Sequence, residues 1–182
     1  MRSLFLVVSA VGVIGIMALY ALPQGNPRGV AKIAQDGKSI SIEYGRPSLK
    51  GRTLDDLLLQ LKPPDAQGLH QDYWRLGADK STTFSTAADL EFGEVEIPKG
   101  RYSLWAEREA DVFWNLIFNK QHDQWGTQHD PSQDFASVPL TETQAATSAD
   151  ILTILLLKKD ASHGIVVIHW GDLKLSADFG IR

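Results

Sequence analysis

Arginine and tryptophan gather in three short phrases of this 182-residue chain, and these phrases set the chemistry it could perform. Tyr44, Arg46, Lys50 and Arg52 surround a Pro-Ser-Leu-Lys-Gly turn. Two guanidiniums and an ammonium leaving a strand end can hold a carboxylate, a phosphate or a sugar acid. The same arginines can instead pair with Asp55, Asp56 or Asp79 and merely hold the loop. Trp74-Arg75-Leu76-Gly77-Ala78-Asp79 sets an aromatic platform beside a bidentate donor and an acceptor, a combination that grips sugars. An indole in the core, with Arg75 paired to Asp79, explains those residues equally well. Gln124-Trp125-Gly126-Thr127 lies in a long polar connection, where an indole must form either a lid or a binding rim. The candidate site is therefore Tyr44, Arg46, Arg52, Trp74, Arg75, Asp79, Asn119 and Trp125, converging at one end of the domain. The arginines would donate, Trp74 and Trp125 would stack, and Asp79 and Asn119 would orient the ligand by hydrogen bonds.

Other chemistries find less support. None of His70, His122, His129, His163 and His169 shows the helical i, i+4 pairing of a zinc site. His122 and His129 share a loop with Asp123, Asp130 and Asp134, which reads as a solvated polar loop rather than a metal site. There is no Gly-x-Ser-x-Gly elbow, phosphate-cradling glycine loop or dinucleotide fingerprint, so no cofactor is expected. With 0 cysteines, thiolate catalysis, disulfides and Cys-ligated zinc are excluded. A net charge of −4 gives no reason to expect nucleic acid.

The elements that would position these residues are strands. Ile40, Ile42 and Tyr44 alternate with polar neighbours, and Thr82 to Thr86 is β-branched and aromatic. Glu94 to Ile97 alternates again and stops at Pro98-Lys99-Gly100. Tyr102, Leu104 and Ala106 share one face, followed by a hairpin-spaced run from Val112 to Phe118. Ile151 to Leu157 reads as a strand buried on both faces, and Trp105, Trp114 and Trp170 as core. Two further strands follow, from Ile165 to Trp170 and from Leu173 to Phe179. One helix is expected from Thr53 to Leu61, capped by Thr53 and ended by Pro63-Pro64. The fold class is all-β: an antiparallel β-sandwich, jelly-roll-like or a partly closed barrel, with one short helix.

Ahead of this domain, Ser3 to Pro27 carries no charge, and Leu4 to Leu22 is almost wholly apolar. Nineteen helical residues rise about 28 Å, near the hydrocarbon thickness of a bilayer. Residues 1–22 are thus expected to be a transmembrane anchor or signal segment, 23–29 a linker and 30–182 the sandwich domain. The expected location is membrane-anchored with the domain outside the cytoplasm, or exported if the signal is cleaved.

Four phrases in order also carry a family resemblance. They are Ile42 to Arg52, Trp74 to Asp79, Ile97 to Leu104, and Ile117 to Lys120 leading to Gln124-Trp125-Gly126-Thr127. Together they resemble the bacterial domain of unknown function 2911 family. The resemblance implies export and an all-β fold, and no activity. Where the family pattern has Asn-Glu after Gly-Ala, this chain has Asp79-Lys80, which puts any binding role of that pair in doubt. The functional expectation is a domain that binds a small polar or carbohydrate-like ligand without turnover. A cell-envelope assembly module with a protein partner is the alternative, and a hydrolase the third reading.

Overall fold

The structure, a computed structural model, describes residues 25–54, 56, 73–109 and 113–182. Its strands are β1 (Arg28–Gln35), β2 (Lys38–Gly45), β3 (Tyr73–Trp74), β4 (Thr82–Thr86) and β5 (Leu90–Phe92), then β6 (Val95–Ile97), β7 (Gly100–Glu109), β8 (Phe113–Asn119), β9 (Asp134–Lys158) and β10 (His163–Ile181). All pairings are antiparallel, in the order β1-β2-β4-β7-β8-β9-β10-β5-β6, and β3 pairs with β7 beyond β4. The sheet is open, with β1 and β6 at its ends. The chain is all-β with almost no helix, as its alternating patterns predict.

Two long strands let one sheet enclose a core. β9 pairs with β8 up to Leu140 and with β10 from Thr141 onward, and β10 reaches β5 through Gly180 and Ile181. Phe118 of β8 then meets Phe84 of β4, Phe92 of β5 and Tyr102 of β7, with ring centroids 5.3, 5.5 and 5.9 Å away. Trp74 of β3 stacks on Trp170 of β10 at 5.8 Å. These contacts join the two ends of the strand order across the interior, where apolar burial supplies most of the stabilisation.

Two expectations change. Leu152, Ile154 and Leu156 are buried, but Ile151, Leu155 and Leu157 are 45%, 40% and 46% exposed, so β9 has one inner and one outer face. An unbroken apolar run hides that difference, because both parities look alike. Trp105 is buried, yet outside the main core, since it points from β7 opposite to Tyr102, Leu104 and Ala106. The expected helix lies mostly outside the described residues; Leu54 and Asp56 are helical. Its start is reciprocal: Thr53 Oγ1 accepts the Asp56 N–H at 3.1 Å, and Asp56 Oδ2 accepts the Thr53 N–H at 3.0 Å. Residues 1–24, which hold the expected anchor, are also outside. Among the described residues no helix is long and apolar enough to cross a membrane.

The β9–β10 turn is closed by Asp160, which accepts the Ser162 N–H at 2.8 Å and stands 2.9 Å from His163 Nδ1. The Ser162 N–H and then His163 hold its carboxyl down at about 2. A depressed carboxylate stabilises the fold fully above its unfolded value of about 4 and loses that contribution as pH falls through the folded value. Wild type is therefore expected to melt above Asp160→Asn at neutral pH. The gap should close between about pH 4 and pH 2, which melting curves across that range would check.

Candidate functional site

The connection from β8 to β9 folds back over the outer face of β7. Asn119, fully buried at the end of β8, holds it: its Oδ1 accepts the Gln121 N–H at 2.8 Å. Its Nδ2 donates to Asp130 O at 2.8 Å and to Asp134 Oδ1 at 2.7 Å. Asp134 Oδ1 also meets His129 Nε2 at 2.9 Å. The His129 ring lies 4.1 Å from Tyr73 and 4.6 Å from Trp105. His129 is thus packed under aromatic rings rather than solvated, which explains how Trp105 is buried on the outer face.

Farther along, the same connection is strapped to the segment after β3. Ser81 N–H donates to Gln124 O at 3.0 Å, and Gly126 N–H to Asp79 O at 2.7 Å, so Lys80 and Trp125 form a one-residue bridge. The Gln124 side chain reinforces the strap, accepting from Ser81 Oγ at 3.3 Å and donating to Ser103 Oγ at 3.2 Å. A Cβ on Gly126 would stand 2.7 Å from Asp79 O, so only glycine lets the strands approach this closely.

The strap forms one wall of a cleft of about 580 Å³. Gly25, Asn26, Arg28, Glu43, Asp79, Lys80, Ser81, Thr83, Asp123 and Trp125 line it. Trp125 is 52% exposed although its backbone is pinned on both sides. Asp79 Oδ2 accepts the Asn26 N–H at 2.8 Å. Asp123 is gripped by His122 Nδ1 at 2.7 Å and by Arg101 at 2.8 Å. The His122 hydrogen bond, with the Arg101 charge behind it, holds Asp123 below the usual carboxylate range, so it is an ionised acceptor. Asp79 and Asp123 also share left-handed backbone, at φ +63° and +68°. That conformation costs on the order of 1 kcal/mol even where Asp tolerates it. The strain falls on the two residues that bracket the strap.

Of the eight candidate residues, the structure brings together Arg75, Asp79 and Trp125. The Arg75 stem passes beside Gly126, its Cδ 3.3 Å from where a Cβ would stand. Tyr44 and Trp74 are core residues instead. The Tyr44 hydroxyl accepts the Ile154 N–H at 2.9 Å and lies 3.3 Å from Ile154 O, tying β2 to β9. Asn119 spends its amide on the connection it holds. Arg46 Nε reaches Leu152 O at 3.4 Å and its own N–H donates to Pro27 O at 2.7 Å. Arg52 Nε donates to Leu49 O at 2.9 Å and lines a different cleft. Both arginines thus bond backbone carbonyls, and among the described residues neither is ion-paired with Asp56 or Asp79. Sequence reasoning missed Arg28, Glu43, Lys80 and Asp123. Glu43 was accessible from parity alone, since it sits opposite Ile42 and Tyr44 on β2. Lys80 and Asp123 lie one and two residues from the candidates Asp79 and Trp125, whereas Arg28 reaches the cleft through non-local pairing that leaves no local pattern.

No curated protein and no solved structure matches the chain. The family described as Protein of unknown function (DUF2911) matches residues 26–179, from the mouth of the cleft to within two residues of the end of β10. The chain belongs to the DUF2911 family.

Proposed function

We propose that this chain is a membrane-anchored or exported β-sandwich that binds a small polar, carbohydrate-like ligand without turnover, in the cleft beside Trp125. The observation that carries this reading is an exposed indole on a fixed backbone, set among charged and hydroxyl groups of both donor and acceptor type. An indole face takes the apolar side of a sugar ring, while Glu43 and Asp123 offer acceptors and Lys80 and Arg28 offer donors. Asp123 is committed to its ionised form by His122 and Arg101, which suits holding hydroxyls rather than passing protons. The Asp79-Lys80 pair, the departure from the family pattern, lines this cleft, so ligand choice is expected to differ from relatives carrying Asn-Glu. The uncharged run before Arg28 supports export.

Thermal unfolding against neutral sugars, sugar acids, nucleotides and phosphate tests the reading. A sugar or sugar acid at a hundred times its dissociation constant should stabilise the fold by about 2.7 kcal/mol. Trp125→Ala should abolish that shift while moving the unliganded stability by no more than about 0.5 kcal/mol, because the side chain is exposed. No shift from any sugar would reject it.

One observation favours the assembly reading. Ile151, Leu155 and Leu157 form an exposed apolar row on the outer face of β9, beside which β10 places the half-buried Ile165 opposite Leu157, while Val167 opposite Leu155 is buried. Contiguous apolar surface of this kind marks protein contacts. If a second copy covers it, Leu155→Lys should lower the sedimentation coefficient. Identical sedimentation of the two proteins would remove self-association through this face.

A further inference from the structure

A second cleft, of about 530 Å³, shares no lining residue with the first. It opens where the β9–β10 ladder breaks. Gly171 pairs with Ala149 and Leu173 with Gln144, so residues 145–148 bulge out opposite Asp172 alone. Bulges re-aim side chains and recur beside ligand sites. Leu49, Leu54 and Leu173 supply apolar wall, and Trp114 lines the cleft beneath Arg108.

The charges here are not spent on one another. Arg108, near the end of β7, lies over Trp114 with its guanidinium carbon 5.6 Å from the ring centre. It is half-buried, and among the described residues its Nε–H has no acceptor. Among the described residues no carboxylate stands within 4.0 Å of its nitrogens. Glu142 of β9 and Asp172 of β10 line the same cleft, and neither is ion-paired to Arg108 or Arg52. Arg52 gives its Nε–H to Leu49 O and belongs to the wall. From β7 across β8 to β9, which carries Glu142, is two strand spacings, about 10 Å, and β10 with Asp172 is one strand farther, so the cation and the carboxylates start from separate strands.

We infer that this cleft binds a small zwitterion of amino-acid to dipeptide size, its carboxylate on Arg108 and its ammonium between Glu142 and Asp172. A half-withdrawn guanidinium without an anion is unfavourable, and a planar carboxylate matches its fork. A simple anion would also meet two carboxylates, and a simple cation would leave Arg108 unpaired. A ligand carrying both charges satisfies both poles.

Calorimetric titration of the full chain tests this with glycylglycine, N-acetylglycylglycine and glycylglycinamide, which keep both charges, the negative charge or the positive charge. Glycylglycine should bind, each blocked analogue at least about tenfold more weakly. Arg108→Gln should abolish binding, while Trp125→Ala should leave it unchanged. Glu142→Gln alters an exposed side chain, so the fold is retained, and it should weaken glycylglycine severalfold. The inference is overturned if glycylglycine gives no binding heat at millimolar concentration. It is equally overturned if the acetylated dipeptide binds as tightly, or if Glu142→Gln changes nothing.

Discussion

Phe118→Ala should cost about 3–5 kcal/mol, among the largest losses expected from a single truncation in this protein. The side chain is 0% exposed and its ring meets Phe84, Phe92 and Tyr102, which come from strands on both halves of the sheet order. Removing it leaves a cavity that neither half can fill by a local shift, because each partner is fixed in a ladder. For a domain of this size the melting temperature should fall by roughly 6–20 °C. Phe113→Ala is the control: its side chain is 67% exposed, and its loss should stay within about 0.5 kcal/mol. Equal effects of the two substitutions in denaturant unfolding would mean that Phe118 is not where the halves join.

Gly45→Ala is expected to cost about 3 kcal/mol or more, at the upper end of overpacking, and to remove the ligand response as well. A Cβ there would stand 2.8 Å from both the nitrogen and the carbonyl carbon of Ala78, and closer still to its oxygen. A backbone cannot swing aside as a side-chain tip can. The segment from Leu76 to Asp79 must move, and with it the Asp79 carbonyl that receives the Gly126 N–H. Gly126→Ala presses on that same carbonyl from the other side. Both variants should therefore expose Trp125 differently, whereas Trp125→Ala changes the site without the fold. Differential scanning calorimetry of the three variants separates these effects. A Gly45→Ala protein that melts like wild type would contradict the close approach.

Parity made most of the strand pattern legible before any coordinates. Ile40, Ile42 and Tyr44 face inward together, so the alternation that marks the strand argued for Tyr44 in the core, although its phrase had set it among the candidate site residues. Trp105 shows where parity stops helping. Its position opposite Tyr102 and Leu104 was readable, but its burial depends on His129 arriving from a connection more than twenty residues away. Strand patterning suggested core for Trp105, and the Trp74 phrase left a binding platform and a core indole equally open. Packing made Trp74 the core residue, stacked on Trp170, and put Trp105 on the opposite face of the sheet. Asp79 and Trp125 were both singled out from their phrases, and the strap brings them to one cleft. Their companions Arg28 and Glu43 come from β1 and β2, and Asp123 from the connection that carries Trp125. Only the antiparallel pairing and the left-handed turns at Asp79 and Asp123 gather them.

Acrylamide quenching of tryptophan emission, with and without sugars, tests the central claim most directly. Trp125 is the exposed indole among five, because Trp74, Trp105, Trp114 and Trp170 are buried, so quenching of the folded protein reports on the cleft. A sugar or sugar acid that raises the melting temperature should also shield Trp125 from acrylamide, and Trp125→Ala should lose both responses together. If every sugar tested leaves Trp125 as accessible as before, or if Trp125→Ala responds like wild type, the ligand does not dock against this indole and the account is wrong.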